Sequence, residues 1–148
     1  MTDAGESTTF NKAGIVAAPE RAAQLRREFS AWLGTHFTLD AVKASDIVLA
    51  VNEALANAAE FAYSNAKEPG VMHVRADYDT EAETLTVVVA DEGAWRIGDT
   101  DHKNPARGRG IPLMHALTDR AVIDATASGT EVRLQWHNVS RSVPSELR

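Results

Sequence analysis

The chain has 148 residues, with 15 lysines and arginines against 21 aspartates and glutamates, for a formal charge of −6. That length suits one domain with a core large enough to fold without staples, and the acidic balance argues against a direct nucleic-acid partner held mainly by phosphate contacts. There is no cysteine, which excludes disulfides and thiolate metal sites. No apolar run reaches membrane-spanning length, and the polar segment from Met1 to Thr9 lacks the build of a secretion signal, so cytoplasmic residence is expected.

Residues 1–9 read as a flexible polar leader, 10–137 as the folded domain and 138–148 as a polar tail. The apolar patch at Ile15 and Val16, within Phe10 to Ala18, suggests a short edge strand. Pro19 suits a first helical turn, and Glu20 to Phe37 carries Ala22, Leu25, Phe29, Trp32 and Leu33 at helical spacing, with Gly34 near the end. Thr38 and Asp40 open a second helix that runs to Tyr63, before the stop and turn signals Ser64-Asn65 and Pro69-Gly70. Val71 to Tyr78 alternates, Thr84 to Ala90 is a β-branched run, and the acidic residues between them predict an antiparallel hairpin. Gly93 to Gly110 has no usable periodicity; a connection of that length is a lid, a binding loop or disordered. Ile111 to Leu117 reads as a short helix. Ala121 to Ala125 and Thr130 to Trp136 read as two more strands joined through Ser128-Gly129.

The second helix holds the most informative pattern. From Ile47 to Tyr63 it contains no lysine or arginine. At 100° per residue Ile47, Val51, Ala54, Leu55 and Ala58 form an apolar stripe, while Glu53, Asn57 and Glu60 fall in a narrow arc opposite, flanked by Leu49, Ala50 and Ala56. An exposed helix face ordinarily carries lysines and i,i+4 charge pairs, so this arc reads as one wall of a pocket. Glu53 and Asn57, four apart, project from adjacent turns, a spacing that suits a carboxylate base beside a metal-binding amide. Magnesium takes hard oxygens and keeps several waters, so one Asn carbonyl plus substrate phosphates can hold it. An incidental polar face gives the same spacing, and the pair alone does not decide.

Three further signals follow in order. Asp91-Glu92-Gly93 closes a β-branched strand, where an aspartate can accept a hydrogen bond from an exocyclic amine such as adenine's and Gly93 lets the backbone approach a flat ring; plain turn chemistry is the alternative. The loop from Ala94 to Arg109 holds four basic residues (Arg96, Lys103, Arg107, Arg109) and two acidic ones (Asp99, Asp101), a local balance of +2 that leaves −8 elsewhere. Such a loop attracts a polyphosphate, and Gly108-Arg109-Gly110 brings backbone N–H groups to the start of the next helix, whose first turn accepts Pro112. Finally, Gly129-Thr130 opens the last strand with a hydroxyl able to complete adenine contacts directly or through water. The five histidines show no metal-ligand spacing and are expected in solvated or packing roles.

In this order the pieces resemble the ATP-binding fold shared by histidine kinases, gyrase and the 90-kilodalton chaperones, and within it the small anti-sigma-factor serine/threonine kinases. The resemblance covers roughly residues 10 to 137 and rests on Asn52-Glu53-Ala54-Leu55-Ala56-Asn57-Ala58-Ala59, Asp91 with Gly93, Gly108-Arg109-Gly110-Ile111-Pro112-Leu113-Met114, and Gly129-Thr130. It implies an α+β fold of Bergerat type, a two-layer α/β sandwich whose mostly antiparallel sheet is covered on one face by helices. It also implies Glu53 as general base, Asn57 as magnesium ligand, and Asp91, Gly93, Arg107, Gly108, Arg109, Gly110 and Thr130 as nucleotide contacts. ATP and Mg2+ are the implied cofactors; a sigma factor and an anti-anti-sigma antagonist are the implied partners, with a homodimer expected. The chain departs from the family pattern at Phe61, where histidine is frequent, and at Ala94-Trp95, where a second glycine is usual. Arg107 and Arg109 both stand near enough to meet a γ-phosphate. Those departures keep a second function open, a non-catalytic module that sequesters a protein partner. A sensor histidine kinase lacks room for its phosphoacceptor helices, and no P-loop motif occurs.

Overall fold

The helical and strand periods are realised in chain order as β1 (Thr9–Val16), α1 (Pro19–His36), β2 (Phe37–Thr38), α2 (Ala41–Glu60), β3 (Val71–Asp79), β4 (Thr84–Asp91), β5 (Arg120–Thr126), β6 (Gly129–Trp136) and β7 (Ser140–Arg141). This is the arrangement in a computed structural model that describes residues 8–60, 70–93, 112–126 and 128–142. A short helical stretch over residues 112–116 precedes β5. The last turn expected of the second helix, through Tyr63, lies outside the described residues.

Five strands form one antiparallel sheet in the order β1-β3-β4-β6-β5. The two hairpins expected from alternation are both present, and β4 and β6 join them at the centre. Period-two patterning sends Leu85, Val87 and Val89 of β4 to the buried face, with Thr84, Thr86, Val88 and Ala90 half-exposed on the other. β3 and β6 alternate the same way, burying Met72, Val74 and Ala76, and Val132, Leu134 and Trp136.

The helices cover that buried face, which makes the molecule the expected two-layer sandwich. α1 starts on Pro19, whose missing N–H leaves no unmet donor there, and buries Ala22, Leu25, Phe29 and Leu33 at helical spacing. α2 is capped by Asp40, whose Oδ1 accepts the Lys43 N–H at 2.7 Å, an arrangement worth about 1 kcal/mol. Ile47, Val51, Leu55 and Ala58 are fully buried against the sheet, and burying each larger aliphatic side chain contributes roughly 1.5–3 kcal/mol.

Two features are not written in any local period. β1 carries a bulge between Lys12 and Ile15, where Gly14 takes φ +70°, a conformation glycine adopts without steric cost. β2 and β7 form a two-stranded ribbon, Phe37 opposite Arg141 and Thr38 opposite Ser140. Ser140 and Arg141 fall in the segment expected as polar tail; here they tie the α1–α2 connection to the end of the sheet. Tyr78 donates its hydroxyl to the Val139 carbonyl at 2.5 Å, and Val139 donates its N–H to the Glu83 carbonyl at 2.9 Å. The Phe37 and Tyr78 rings meet edge to face at 4.9 Å.

Candidate functional site

At the opposite end of the sheet the strands deliver polar residues into the apolar layer. β4 ends on Asp91 and β6 begins on Gly129-Thr130, and the β4–β6 register sets Asp91 directly opposite Thr130. Both are buried, at 5% and 2% exposure. Because side chains alternate across a strand, each occupies the phase of the buried apolar residues before or after it, so their polar groups lie on the helix-covered face. Asp91 Oδ1 accepts the Gly93 N–H at 2.9 Å, turning the backbone sharply at the strand end.

Gly129 is what lets these two strand ends meet. A Cβ on Gly129 would collide with the carbonyl oxygen of Asp91 and lie 3.2 Å from Cα of Glu92. Sequence offers Gly129 as a turn residue and, by the resemblance, as part of the last nucleotide-contact motif with Thr130. Its closer role, backbone lying on backbone across β4 and β6, is a non-local requirement that no sequence window contains.

α2 brings the other two residues, since its buried face packs against β4 and β6. Asn57 is 4% exposed and joins Ala54 and Ala58 in the interior. It therefore sits at the margin where helix meets sheet, deeper than the outward arc the helical wheel assigned to it. Glu53, one turn earlier, is half-buried, and Glu60 is exposed. Among the described residues no hydrogen bond or ion pair engages the Glu53 carboxylate. Asn52 faces the other way, lining a hollow of about 300 Å³ between α1 and α2 with Ala22, Arg26 and Ala59.

The chemistry of this end is defined by what is left unpaired. Asn57 Nδ2 and Thr130 Oγ1 are buried with no hydrogen-bond partner among the described residues. Each such group costs about 1–3 kcal/mol of desolvation. In a native structure an orphaned buried polar atom calls for an explanation, and two of them on elements that pack together, one directly across from a buried carboxylate, fit a polar ligand that completes them. The donor set also fits a hard cation: Asn57 Oδ1 is a hard-oxygen ligand of the kind magnesium accepts beside phosphate oxygens. No three His, Cys, Asp or Glu side chains among the described residues converge on a metal.

One contact beside the site was not anticipated. His73 of β3 accepts the Gly14 N–H on Nδ1 at 2.9 Å and meets Glu92 Oε2 through Nε2 at 3.1 Å, linking the β1 bulge to the residue after Asp91. An Nδ1 that accepts places the ring proton on Nε2, facing the carboxylate. The lid residues Arg107, Gly108, Arg109 and Gly110, like Phe61 and Ala94-Trp95, lie outside the described residues.

Comparison with known structures and families agrees with this fold. The chain is similar to a crystal structure of the RsbU and RsbW domains of Rv1364c from Mycobacterium tuberculosis, with a TM-score of 0.66 and 24% identity over 92% of this chain and 33% of that one. The present chain thus spans a third of that protein's chain, and at this identity the likeness bears on fold. The sequence itself matches the histidine kinase-like ATPase domain over residues 15–136. That match covers most of the chain and runs from the bulged edge strand to the end of the strand that carries Thr130, so the chain belongs to the histidine kinase-like ATPase domain family.

Proposed function

We propose that this domain binds ATP with magnesium, phosphorylates a serine or threonine of an anti-anti-sigma antagonist, and sequesters a sigma factor when free of it. The observation that carries the reading is a set of three buried polar residues: Asp91 across from Thr130, Asn57 on the helix that packs against both their strands, and two polar atoms among the three with no partner among the described residues. Asp91 offers an acceptor for the exocyclic amine of adenine and Thr130 a hydroxyl for the same ring. Asn57 Oδ1 and the phosphate oxygens would hold magnesium, which supplies charge neutralisation at the transferring phosphoryl group. Gly93, Arg107, Gly108, Arg109 and Gly110 complete the nucleotide contacts in this proposal. Resemblance to the anti-sigma kinases supports the protein-kinase part of the reading, as does likeness in fold to a chain with an RsbW domain.

In the proposed reaction Glu53 accepts the proton of the acceptor hydroxyl while that oxygen bonds to the γ-phosphorus and the bond to the ADP oxygen breaks. A half-buried carboxylate one turn from Asn57, with no described cation paired to it, is suited to that task. Cytoplasmic residence and a homodimer belong to the same proposal. Among the described residues no helix is long and apolar enough to cross a membrane.

The test is transfer of label from γ-labelled ATP to the antagonist, with and without Glu53→Ala. Loss of a general base lowers the rate by about 10²–10⁴-fold. Transfer at the wild-type rate by Glu53→Ala refutes the role of Glu53. The substitution of a usual glycine at Ala94-Trp95 favours the second reading, a binding module; nucleotide binding without any transfer by the wild-type chain would establish it.

A further inference from the structure

α2 leads toward the site from the far end of the sheet. Lys43, in its first turn, donates from Nζ to the His137 carbonyl at 2.6 Å, beyond the end of β6, whereas Asn57 stands at the Asp91 end. At 100° per residue Val42, Asp46, Leu49, Glu53 and Glu60 fall within an arc of about 60° on the solvent side of this helix. Val42 is 71% and Leu49 40% exposed, two of the four large aliphatic residues exposed among the described ones. Leu49 also edges a hollow of about 190 Å³ with Ser45, Val48, Asn52 and, from α1, Arg26.

Scattered exposed aliphatics need no explanation. These two are not scattered: they bracket Asp46 and stop one turn short of Glu53, and beyond Glu53 stands the buried, unpartnered Asn57. Within this arc of α2 the charge is one-sided, with Arg26 of α1 bordering it only on the Leu49 side. Asp46, Glu53 and Glu60 pair with no cation among the described residues, and Lys43, the sole cation of α2, is held at the His137 carbonyl. A strip that is aliphatic and acidic, continuous with the candidate site, selects a surface that is aliphatic and basic.

We infer that Val42, Asp46 and Leu49 form the docking ridge for the protein whose hydroxyl is phosphorylated. This rests on the kinase reading above and adds to it the kind of partner surface that fits. With a helical rise of 1.5 Å per residue, Leu49 lies about 6 Å and Asp46 about 10 Å along the axis from Glu53. An extended segment advances about 3.3 Å per residue. The acceptor therefore presents an aliphatic side chain about two residues from its reacting hydroxyl, and a lysine or arginine about three residues from it on the same side.

The experiment measures steady-state transfer from ATP–magnesium to the acceptor protein for the wild-type chain, Asp46→Lys, Leu49→Asp and the control Val122→Asp. Val122 is also exposed, at 38%, but belongs to β5 on the far edge of the sheet. Asp46→Lys and Leu49→Asp raise KM for the acceptor at least tenfold, keep the rise in Tm that ATP gives the wild type, and leave Val122→Asp as the unaffected comparison. Exchange of the acceptor's basic residue for glutamate restores transfer by Asp46→Lys. Wild-type KM in both ridge variants, or a fall in kcat at unchanged KM, overturns the ridge while the kinase reading stands. No transfer by the wild-type chain overturns both.

Discussion

The two ends of the sheet treat their polar groups differently. At the end where β2 and β7 pair, donors of the described residues meet acceptors within the chain: Tyr78 hydroxyl to Val139, Trp136 Nε1 to the Leu117 carbonyl at 2.8 Å, the His137 N–H to Asp119 Oδ2 at 2.7 Å, and Lys43 to His137. At the end where β4 stops and β6 starts, Asn57 Nδ2 and Thr130 Oγ1 have no such partner among the described residues. The same sheet and the same α2 serve both ends, so the difference lies in the residues placed there. One end is finished by the chain itself. The other retains the chemistry a ligand would complete, at a standing cost of about 1–3 kcal/mol per orphaned group.

Breaking the closed end should cost the most. Trp136→Ala removes a 2%-exposed ring and its hydrogen bond to Leu117, and is expected to lower unfolding free energy by about 3–5 kcal/mol in a urea titration. At the open end, Gly129→Ala drives a Cβ into the Asp91 carbonyl; about 1–3 kcal/mol of overpacking is expected, with the β4 and β6 ends forced apart and ATP affinity lost. A smaller effect separates the ends by pH. Burial pushes the Tyr78 phenol above the usual tyrosine range, with Glu83 adding to the shift. Its folded form thus keeps the proton longer than the unfolded chain does. The associated stability is fully present below about pH 10 and is lost as pH rises through the raised value. Tyr78→Phe should cost about 1 kcal/mol at neutral pH and flatten that alkaline loss. The smallest change sharpens the contrast most: Thr130→Val replaces an unpartnered hydroxyl with a methyl, so stability should stay level or rise by up to about 1 kcal/mol while ATP binding weakens. The opposite pairing of effects, a destabilised fold with unaltered ATP affinity, would show Thr130 to be structural.

Much of this architecture is legible in periodicity. Leu85, Val87 and Val89 announce their strand because one face is buried and one half-exposed, and Ala22, Leu25, Phe29 and Leu33 announce a helix for the corresponding reason. The polar members of the site stood out because Asn57, Asp91 and Thr130 interrupt or close apolar runs. What stayed hidden is non-local. A two-residue strand such as Ser140–Arg141 has no period to read, and its partner Phe37–Thr38 lies far away in sequence, before α2 and most of the sheet. The need for glycine at 129 depends on where Asp91 lies across the sheet, not on any neighbour in sequence. A helical wheel gives direction and not depth: Asn57 and Glu60 share an arc that reads as a pocket wall, and packing on β4 and β6 buries the first and leaves the second in solvent.

The central claim is that the open end of the sheet is a nucleotide site completed by ligand, and thermal unfolding with and without ATP–magnesium tests it most directly. At a ligand concentration a hundred times the dissociation constant, binding adds about 2.7 kcal/mol to the folded state. The account predicts a clear rise in Tm for the wild-type chain and none for Asn57→Ala. An unchanged wild-type Tm at millimolar ATP, or an equal rise in Asn57→Ala, would contradict it.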